Sequence, residues 1–171
     1  MSGGTAGGGT ADVVLGHLQR LPLFALDDAA AMADLAAVCE IRRSARGEVI
    51  LTEGSLGDTM LVILSGRVRV ERRTVHRDSF TVSFLEQDNF FGEVALLGRD
   101  RRSATCVAET DCEFLVIGRD DFVAFGDRHH AAGLAITRRV ATRLADRLLA
   151  ANEEILSLFT ALVQEVEGEL R

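Results

Sequence analysis

Hydrophobic residues between positions 40 and 117 come in short segments, and polar turns separate these segments from one another. Some segments alternate cleanly: in RVRVE, Val68 and Val70 would face one side of a strand and the arginines the other. The apolar segments are residues 48–52, 59–64, 67–73, 80–85, 104–109 and 112–117. Six or more short strands at this spacing predict a mainly β fold, built as a small antiparallel barrel or roll.

Helical periodicity precedes this β region. The apolar residues of a first amphipathic helix, running from about residue 12 to residue 20, are Val13, Val14, Leu15, Leu18 and Leu21. Pro22 then breaks the chain, and Asp27 or Asp28 can cap a second helix that runs to about Val38. Residues 1–11 are rich in glycine, and we expect them to form a disordered tail.

A helical pattern returns after residue 119, with a short helix first and a long helix over residues 129–171. We therefore expect a folded domain over residues 12–128, followed by that helix. One face of the long helix carries apolar residues spaced alternately by four and three, namely Leu144, Leu148, Ala151, Ile155, Leu158 and Leu162. This spacing predicts a parallel two-helix seam between two copies of the chain. The alternative is a helix that packs on its own β-roll.

Composition and charge narrow the classes of function. The net charge is -7 and every basic residue is an arginine, so the chain is a poor non-specific ligand for nucleic acid. It contains no long uncharged apolar run and no signal-peptide core, so we expect a cytoplasmic protein. The three cysteines, Cys39, Cys106 and Cys112, show no metal-binding spacing and are expected in the core. The histidines are not clustered either, and we predict no metal site.

Residues 90–105, FFGEVALLGRDRRSAT, carry the candidate chemistry. Gly92 lets the backbone approach a ligand closely or adopt a conformation that is closed to other residues, and EVALL is expected to form one helical turn. The amides of Val94 and Ala95 would then be available to an anion such as a phosphate.

A buried phosphate also needs a positive charge. Arg99, Arg101 and Arg102 are the candidates, and Arg102 is favoured because it is expected to open a strand. Ser103 offers a hydroxyl group. Glu93 suits a sugar hydroxyl, or the arginine itself, better than an anion. The alternative is that Gly-Glu is a chance dipeptide and Arg102 a surface charge.

These residues resemble the phosphate-binding cassette of the cyclic nucleotide-binding domain. The family pattern is Phe-Gly-Glu, an apolar residue, Ala or Gly, and Leu, followed after a short stretch by Arg-Ser-Ala-Thr or a similar sequence. The matching residues are Phe91, Gly92, Glu93, Val94, Ala95, Leu96, Leu97, Arg102, Ser103, Ala104 and Thr105. The spacing between Glu93 and Arg102 matches without a gap, and the resemblance extends over residues 13–152, including the turn glycines Gly47, Gly54 and Gly66.

The resemblance implies an eight-stranded antiparallel β-roll flanked by helices, as in the effector domains of cyclic AMP receptors. It implies that Glu93 binds the ribose 2′-hydroxyl and that Arg102 pairs with the exocyclic phosphate oxygens. Ser103 and the amides of Val94 and Ala95 would complete the phosphate shell. Serine at position 103 favours cyclic AMP over cyclic GMP, and cyclic di-GMP is a further alternative.

The resemblance also concerns the long helix and the output. Arg147 and Asn152 fall near positions that face the ligand in relatives, whereas Ala151 replaces a residue that often carries a hydroxyl group. Residues 156–171 continue the helix with a single arginine among several glutamates, so we expect no helix-turn-helix and no direct DNA binding. No catalytic set suggests an enzyme.

We therefore expect a stand-alone regulatory sensor, a homodimer through its C-terminal helix, that signals through a protein partner. A scaffold that has lost its ligand and a regulator that reaches DNA through a partner chain are the alternatives.

Overall fold

The computed structural model describes residues 7–74, 78–98 and 101–169. Two helices and a short 3₁₀ turn precede the strands, a single helical turn lies among the strands, and two helices follow them. The helices are α1 (Gly7–Arg20), α2 (Ala29–Val38), α3 (Val94–Leu97), α4 (Arg119–Arg128) and α5 (His130–Glu169), and the 3₁₀ turn is Pro22–Phe24. None of the helices in these described ranges is both long enough and apolar enough to cross a membrane.

Eight strands in the described residues form two antiparallel sheets of four strands each. The strands are β1 (Cys39–Ser44), β2 (Val49–Leu51), β3 (Thr59–Ser65), β4 (Val68–Arg73), β5 (Ser79–Leu85), β6 (Phe90–Phe91), β7 (Thr105–Ala108) and β8 (Cys112–Gly118). The order is β1-β8-β3-β6 in one sheet and β2-β7-β4-β5 in the other. The predicted mainly β fold, with helices at both ends, is confirmed.

The core lies between the two sheets and draws apolar residues from both. Its buried members are Ile50, Leu61, Ile63, Val68, Phe91, Cys106, Ala108, Cys112, Phe114 and Val116. Consecutive residues of β3 and β8 are buried on both faces of their sheet, because helices cover the side that faces away from the core. All three cysteines are buried and unpaired, as the sequence predicted.

The N-terminal helix begins earlier than the sequence suggested. It starts at Gly7 and not near Asp12, so residues 7–11 are helical and the expectation of a disordered tail over residues 1–11 is wrong for them. Once the turn around the buried residues Val14 and Leu18 has formed, each further residue adds a hydrogen bond at little cost, so even glycines can extend the helix. Residues 1–6 lie outside the described residues. The second helix is capped as predicted, since the Asp28 side chain accepts hydrogen bonds from the amides of Ala30 and Ala31.

The chain divides into two compact units, the first ending at Leu134 and the second beginning at Ala135. The predicted boundary at residue 129 falls close to this division. In the second unit, the residues of the predicted seam from Leu148 onward are largely exposed along α5.

A polar contact joins α2 to the junction between α4 and α5 inside the first unit. Nε2 of His129, the residue between those two helices, lies 2.9 Å from Oδ2 of Asp34. Nη1 of Arg128 lies 3.6 Å from the same oxygen. The hydrogen bond to His129 is the main cause that lowers the pKa of the Asp34 carboxyl below its usual range, with the charge of Arg128 adding to it. The ionised form of Asp34 is therefore favoured in the folded protein.

We predict that Asp34→Asn lowers the melting temperature at neutral pH. A carboxyl whose pKa is depressed by folding stabilises the protein above its unfolded pKa, and this contribution is lost as the pH falls through the lower, folded pKa. The difference from the native protein should therefore be present at pH 7 and shrink below about pH 4. Differential scanning calorimetry over this pH range measures it.

Asp27→Asn is the matched control, because it removes an equivalent charge from an exposed residue that has no ion pair within the described part of the chain. A loss of stability in Asp34→Asn that is equal at pH 7 and pH 3, or equal to that of the control, would contradict the contact.

Candidate functional site

The site is built around the turn that follows β6. Phe91, the last residue of that strand, is buried, with its ring centroid 5.7 Å from that of Phe114. Gly92 has a φ of 76°, the left-handed conformation that the sequence analysis anticipated. A side chain there would also collide, because a Cβ atom would lie 2.6 Å from Nη1 of Arg102 and 2.8 Å from the Thr59 carbonyl oxygen. The position therefore requires glycine for its conformation and for space.

The single helical turn predicted after Gly92 is present as α3. The Leu96 amide donates to the Glu93 carbonyl over 2.9 Å, and the Gly98 amide donates to the Val94 carbonyl over 2.9 Å. The amides of Val94 and Ala95 come before these bonds, at the start of a helical turn where the helix offers no acceptor. They therefore lie at the N-terminal end of this turn, and their contact with an anion stays a prediction.

Arg102 is a buried cation, with only 8% of its surface exposed. Its Nη1 donates to the carbonyl oxygens of Thr59 and Gly92, over 2.8 Å and 3.0 Å. Its Nη2 donates to Oγ1 of Thr59 over 3.0 Å. These three bonds hold the guanidinium against the start of β3 and the turn after β6. A buried charge of this kind is tolerated only where such acceptors surround it.

The backbone of Arg102 is fixed by a loop and not by a sheet, which corrects one expectation. The sequence suggested that Arg102 opens a strand, but β7 begins three residues later, at Thr105. The Arg102 amide donates to the carbonyl of Ser55, and its carbonyl accepts from the amide of Gly54, each over 2.8 Å. The polar loop after β2 thus replaces a neighbouring strand as the partner of this segment.

Two carboxylates act on the buried guanidinium. Burial lowers the pKa of Arg102, and the charges of Asp58 and, more weakly, Glu93 oppose this effect. The side chain stays cationic near neutral pH, because an arginine pKa lies so far above that range. Glu93 is half-buried at the start of α3, so the structure brings it close enough to influence Arg102, while its role toward a ligand stays a prediction.

Sequence reasoning missed the residues that make room for Arg102. A Cβ atom on Gly57 would lie 2.0 Å from Nε and 2.2 Å from Cζ of the arginine. Thr59, two residues further on, supplies both a carbonyl and a hydroxyl acceptor. The sequence marked Gly57 only as part of a turn and Thr59 only as the start of a strand. No local signal links this stretch to an arginine 43 residues away, because the contact exists only once the two loops meet.

The remaining predicted residues occupy different surroundings. Ser103 is exposed beside Arg102, and Phe91 lies in the core, where it positions the turn. Arg101 is exposed and donates to the Gly54 carbonyl over 2.7 Å. Arg147 lies on α5 in the second unit, so its predicted place beside a ligand stays a prediction. Arg99 falls outside the described residues.

Neither thiol nor metal chemistry is indicated near the site. Burial raises the pKa of the Cys106 thiol to about 12, an effect that the charge of Arg102 partly opposes, so the thiol stays neutral near pH 7. Within the described ranges, no three or more His, Cys, Asp or Glu side chains come together as metal ligands would.

Comparison with known proteins places this geometry in context. The family model of the cyclic nucleotide-binding domain matches residues 41–129, which include α3, Glu93 and Arg102. The structure of a cyclic nucleotide-binding domain from Methylobacillus flagellatus aligns with a TM-score of 0.74 at 25% identity, over 85% of this chain and 82% of that chain.

Two curated relatives are also similar in sequence. The cyclic AMP receptor protein of Thermus thermophilus is 33% identical over 110 residues, which are 64% of this chain and 49% of the relative. Glutaminase 1 of Bradyrhizobium diazoefficiens is 34% identical over 139 residues, which are 81% of this chain and 22% of the relative. The chain thus spans about half of the first relative and about a fifth of the second, so the similarity concerns one region of each.

We predict that Gly57→Ala displaces the guanidinium of Arg102 and weakens the binding of any ligand that contacts this guanidinium. The added methyl group has no space, since it would overlap Nε, and the cost falls on the placement of Arg102 because Gly57 has no left-handed conformation to lose. Titration calorimetry with cyclic nucleotides should show an affinity that is lower by roughly tenfold or more, as expected for a loss of about 1.4 kcal/mol or more of binding free energy.

Gly16→Ala is the control, because a Cβ atom there meets no atom within 4 Å and the residue lies in α1. Binding by Gly57→Ala equal to that of the control would show that the guanidinium needs no such space.

Proposed function

Because this chain belongs to the family of cyclic nucleotide-binding domains, we propose that it is a regulatory sensor that binds cyclic AMP around Arg102. The observation that carries the proposal is the buried guanidinium of Arg102, which three hydrogen bonds hold beside the turn that leads into α3. The protein would bind the ligand without converting it, and we propose no enzymatic reaction.

The hydrogen bonds of Arg102 leave one edge of the guanidinium for a phosphate. Nη1 donates to two carbonyls and Nη2 to one hydroxyl, so within the described residues Nε–H and one Nη2 hydrogen stay available. Two such donors in one plane match two oxygens of a phosphate. The three existing bonds fix the orientation in advance, so little ordering is needed when the ligand arrives. The amides of Val94 and Ala95 and the exposed hydroxyl of Ser103 would complete the shell.

Glu93 favours a phosphate that carries a sugar over a free anion. A bare phosphate next to two carboxylates, Glu93 and Asp58, would meet repulsion as well as the attraction of Arg102. A ribose hydroxyl can instead donate to Glu93, which turns the acidic residue into a favourable contact. We propose this role for Glu93.

Cyclic AMP is the nucleotide that we propose, with cyclic GMP and cyclic di-GMP as the competitors to be tested. Ser103 supports cyclic AMP, since threonine at this position is the residue that the family resemblance associates with cyclic GMP. The similarity to a protein named cyclic AMP receptor protein also supports it. The same proposal includes a contact from Arg147 on α5 to the base.

We propose that the signal passes to a protein partner. The net charge of -7 disfavours a DNA duplex as the direct target, because duplex affinity comes largely from neutralising phosphates. The coupling free energy between the binding of a ligand and the binding of a partner is typically about 1–3 kcal/mol, which a few altered contacts supply.

We predict that Arg102→Leu reduces affinity for cyclic AMP by roughly two orders of magnitude or more. Removing one member of a buried, hydrogen-bonded charge pair typically costs about 2–5 kcal/mol. Arg101→Leu is the matched control, because it removes the neighbouring arginine, which is exposed and donates to a loop carbonyl. Isothermal titration calorimetry measures both variants, and circular dichroism verifies that each retains its strands.

A thermal-shift series with cyclic AMP, cyclic GMP and cyclic di-GMP tests the ligand. We expect the largest rise in melting temperature with cyclic AMP, since, at equal concentrations, a ligand that binds only the folded state stabilises it more the more tightly it binds. A larger rise with another nucleotide would reassign the ligand. No shift with any of them at millimolar concentration would favour a scaffold that no longer binds nucleotides.

A further inference from the structure

The second half of α5 carries an apolar surface that is wider than the two-helix seam predicted from the sequence. Between residues 148 and 166 the large apolar side chains are between 39% and 65% exposed. They are Leu148, Leu149, Ile155, Leu156, Leu158, Phe159, Leu162, Val163 and Val166. So many exposed apolar residues along five turns of helix indicate a surface that another molecule covers.

The width of this surface shows how many helices it can accommodate. Leu149, Leu156 and Val163 form a row spaced by seven, turned by about 100° from the row that begins at Leu148. Leu158 extends the surface by about 60° on the other side, so the apolar arc covers about 160°. A two-stranded coiled coil buries only a narrow seam, and it would leave the row from Leu149 to Val163 in water. The arc therefore requires helices on two sides.

The charges of α5 argue against a lipid surface. From residue 148 to residue 170 the sequence has no arginine, and the polar arc carries Glu153 and Glu154. Helices that lie on membranes carry basic polar faces, because membrane surfaces are negatively charged. The acidic arc would be repelled, so the occupant is a protein surface.

The distribution of charge along α5 identifies that surface as the same helix running in the opposite direction. Residues 135–150 contain four arginines and one aspartate, and residues 151–169 contain five glutamates and no arginine. A parallel neighbour would place like charges side by side. An antiparallel neighbour, with its apolar segment aligned on the same length, places Glu165 of one copy opposite position 149 of the other, two residues from Arg147.

We infer that residues 148–166 form an antiparallel four-helix bundle with the same segments of three other copies of this chain. Each helix then has two antiparallel neighbours, which cover both sides of the apolar arc and match its charges. The inference replaces the parallel two-helix seam by a wider assembly, and it does not depend on the identity of the ligand.

Sedimentation velocity on the full chain tests the bundle. We expect a mass of four chains for the native protein and a smaller assembly for the double variant Leu149→Glu, Leu156→Glu, which puts charge in the row that a two-stranded coil would leave exposed. The double variant Ser157→Glu, Gln164→Glu is the control. It adds the same charge at the same spacing of seven on the opposite arc, and it should keep the native mass. Circular dichroism verifies that the helix persists.

Reversing the charge of single residues tests whether neighbouring helices of the bundle run antiparallel. In an antiparallel bundle Glu165→Arg places a cation beside Arg147 of a neighbour, so the assembly should dissociate at low salt, and adding Arg147→Glu should restore it. In a parallel bundle the first change only replaces one like-charge contact by another. A native mass of one or two chains, a four-chain mass that Leu149→Glu, Leu156→Glu leaves unchanged, or an assembly that tolerates Glu165→Arg at low salt would each overturn the inference.

Discussion

The burial of the Arg102 guanidinium is the constraint on which the candidate site depends. A charge removed from water is tolerated only if its surroundings supply acceptors, and here Thr59 and Gly92 supply three. The same burial excludes side chains from two neighbouring positions, which explains glycine at positions 57 and 92. The space that one side chain requires thus accounts for a glycine in each of two loops.

The β-roll supplies the geometry that this arrangement needs. Strand β3 pairs with β6 through Leu61 and Phe91, and this register brings the start of β3 beside the turn after β6. The contact between Phe91 and Phe114 fixes that turn to the core. The guanidinium is consequently oriented by a rigid framework, which is the condition under which a ligand spends least free energy on ordering the protein.

The two compact units expose different kinds of interaction. The first unit concentrates a buried charge, helix-turn amides and carboxylates in one place, which suits a small charged ligand with hydroxyl groups. The second unit presents apolar side chains over a wide arc with acidic residues opposite, which suits helices of matching length. The proposed ligand binding and the inferred assembly would therefore depend on different interactions, electrostatics in the first unit and apolar burial in the second, and mutations should separate them.

Local patterns in the sequence determined the elements and part of the site. Alternation of apolar residues identified the strands, helical spacing identified α2 and α5, and the order of Gly92, Glu93 and the following apolar residues identified the turn of α3. These features depend on residues within a few positions of one another, so a single sequence contains them. The tertiary structure alone decided that Thr59 holds the Arg102 side chain in the space that Gly57 leaves, and that no strand of its own fixes Arg102. The partners of a buried charge come from distant loops, and which loops meet depends on strand pairing, which no local spacing encodes.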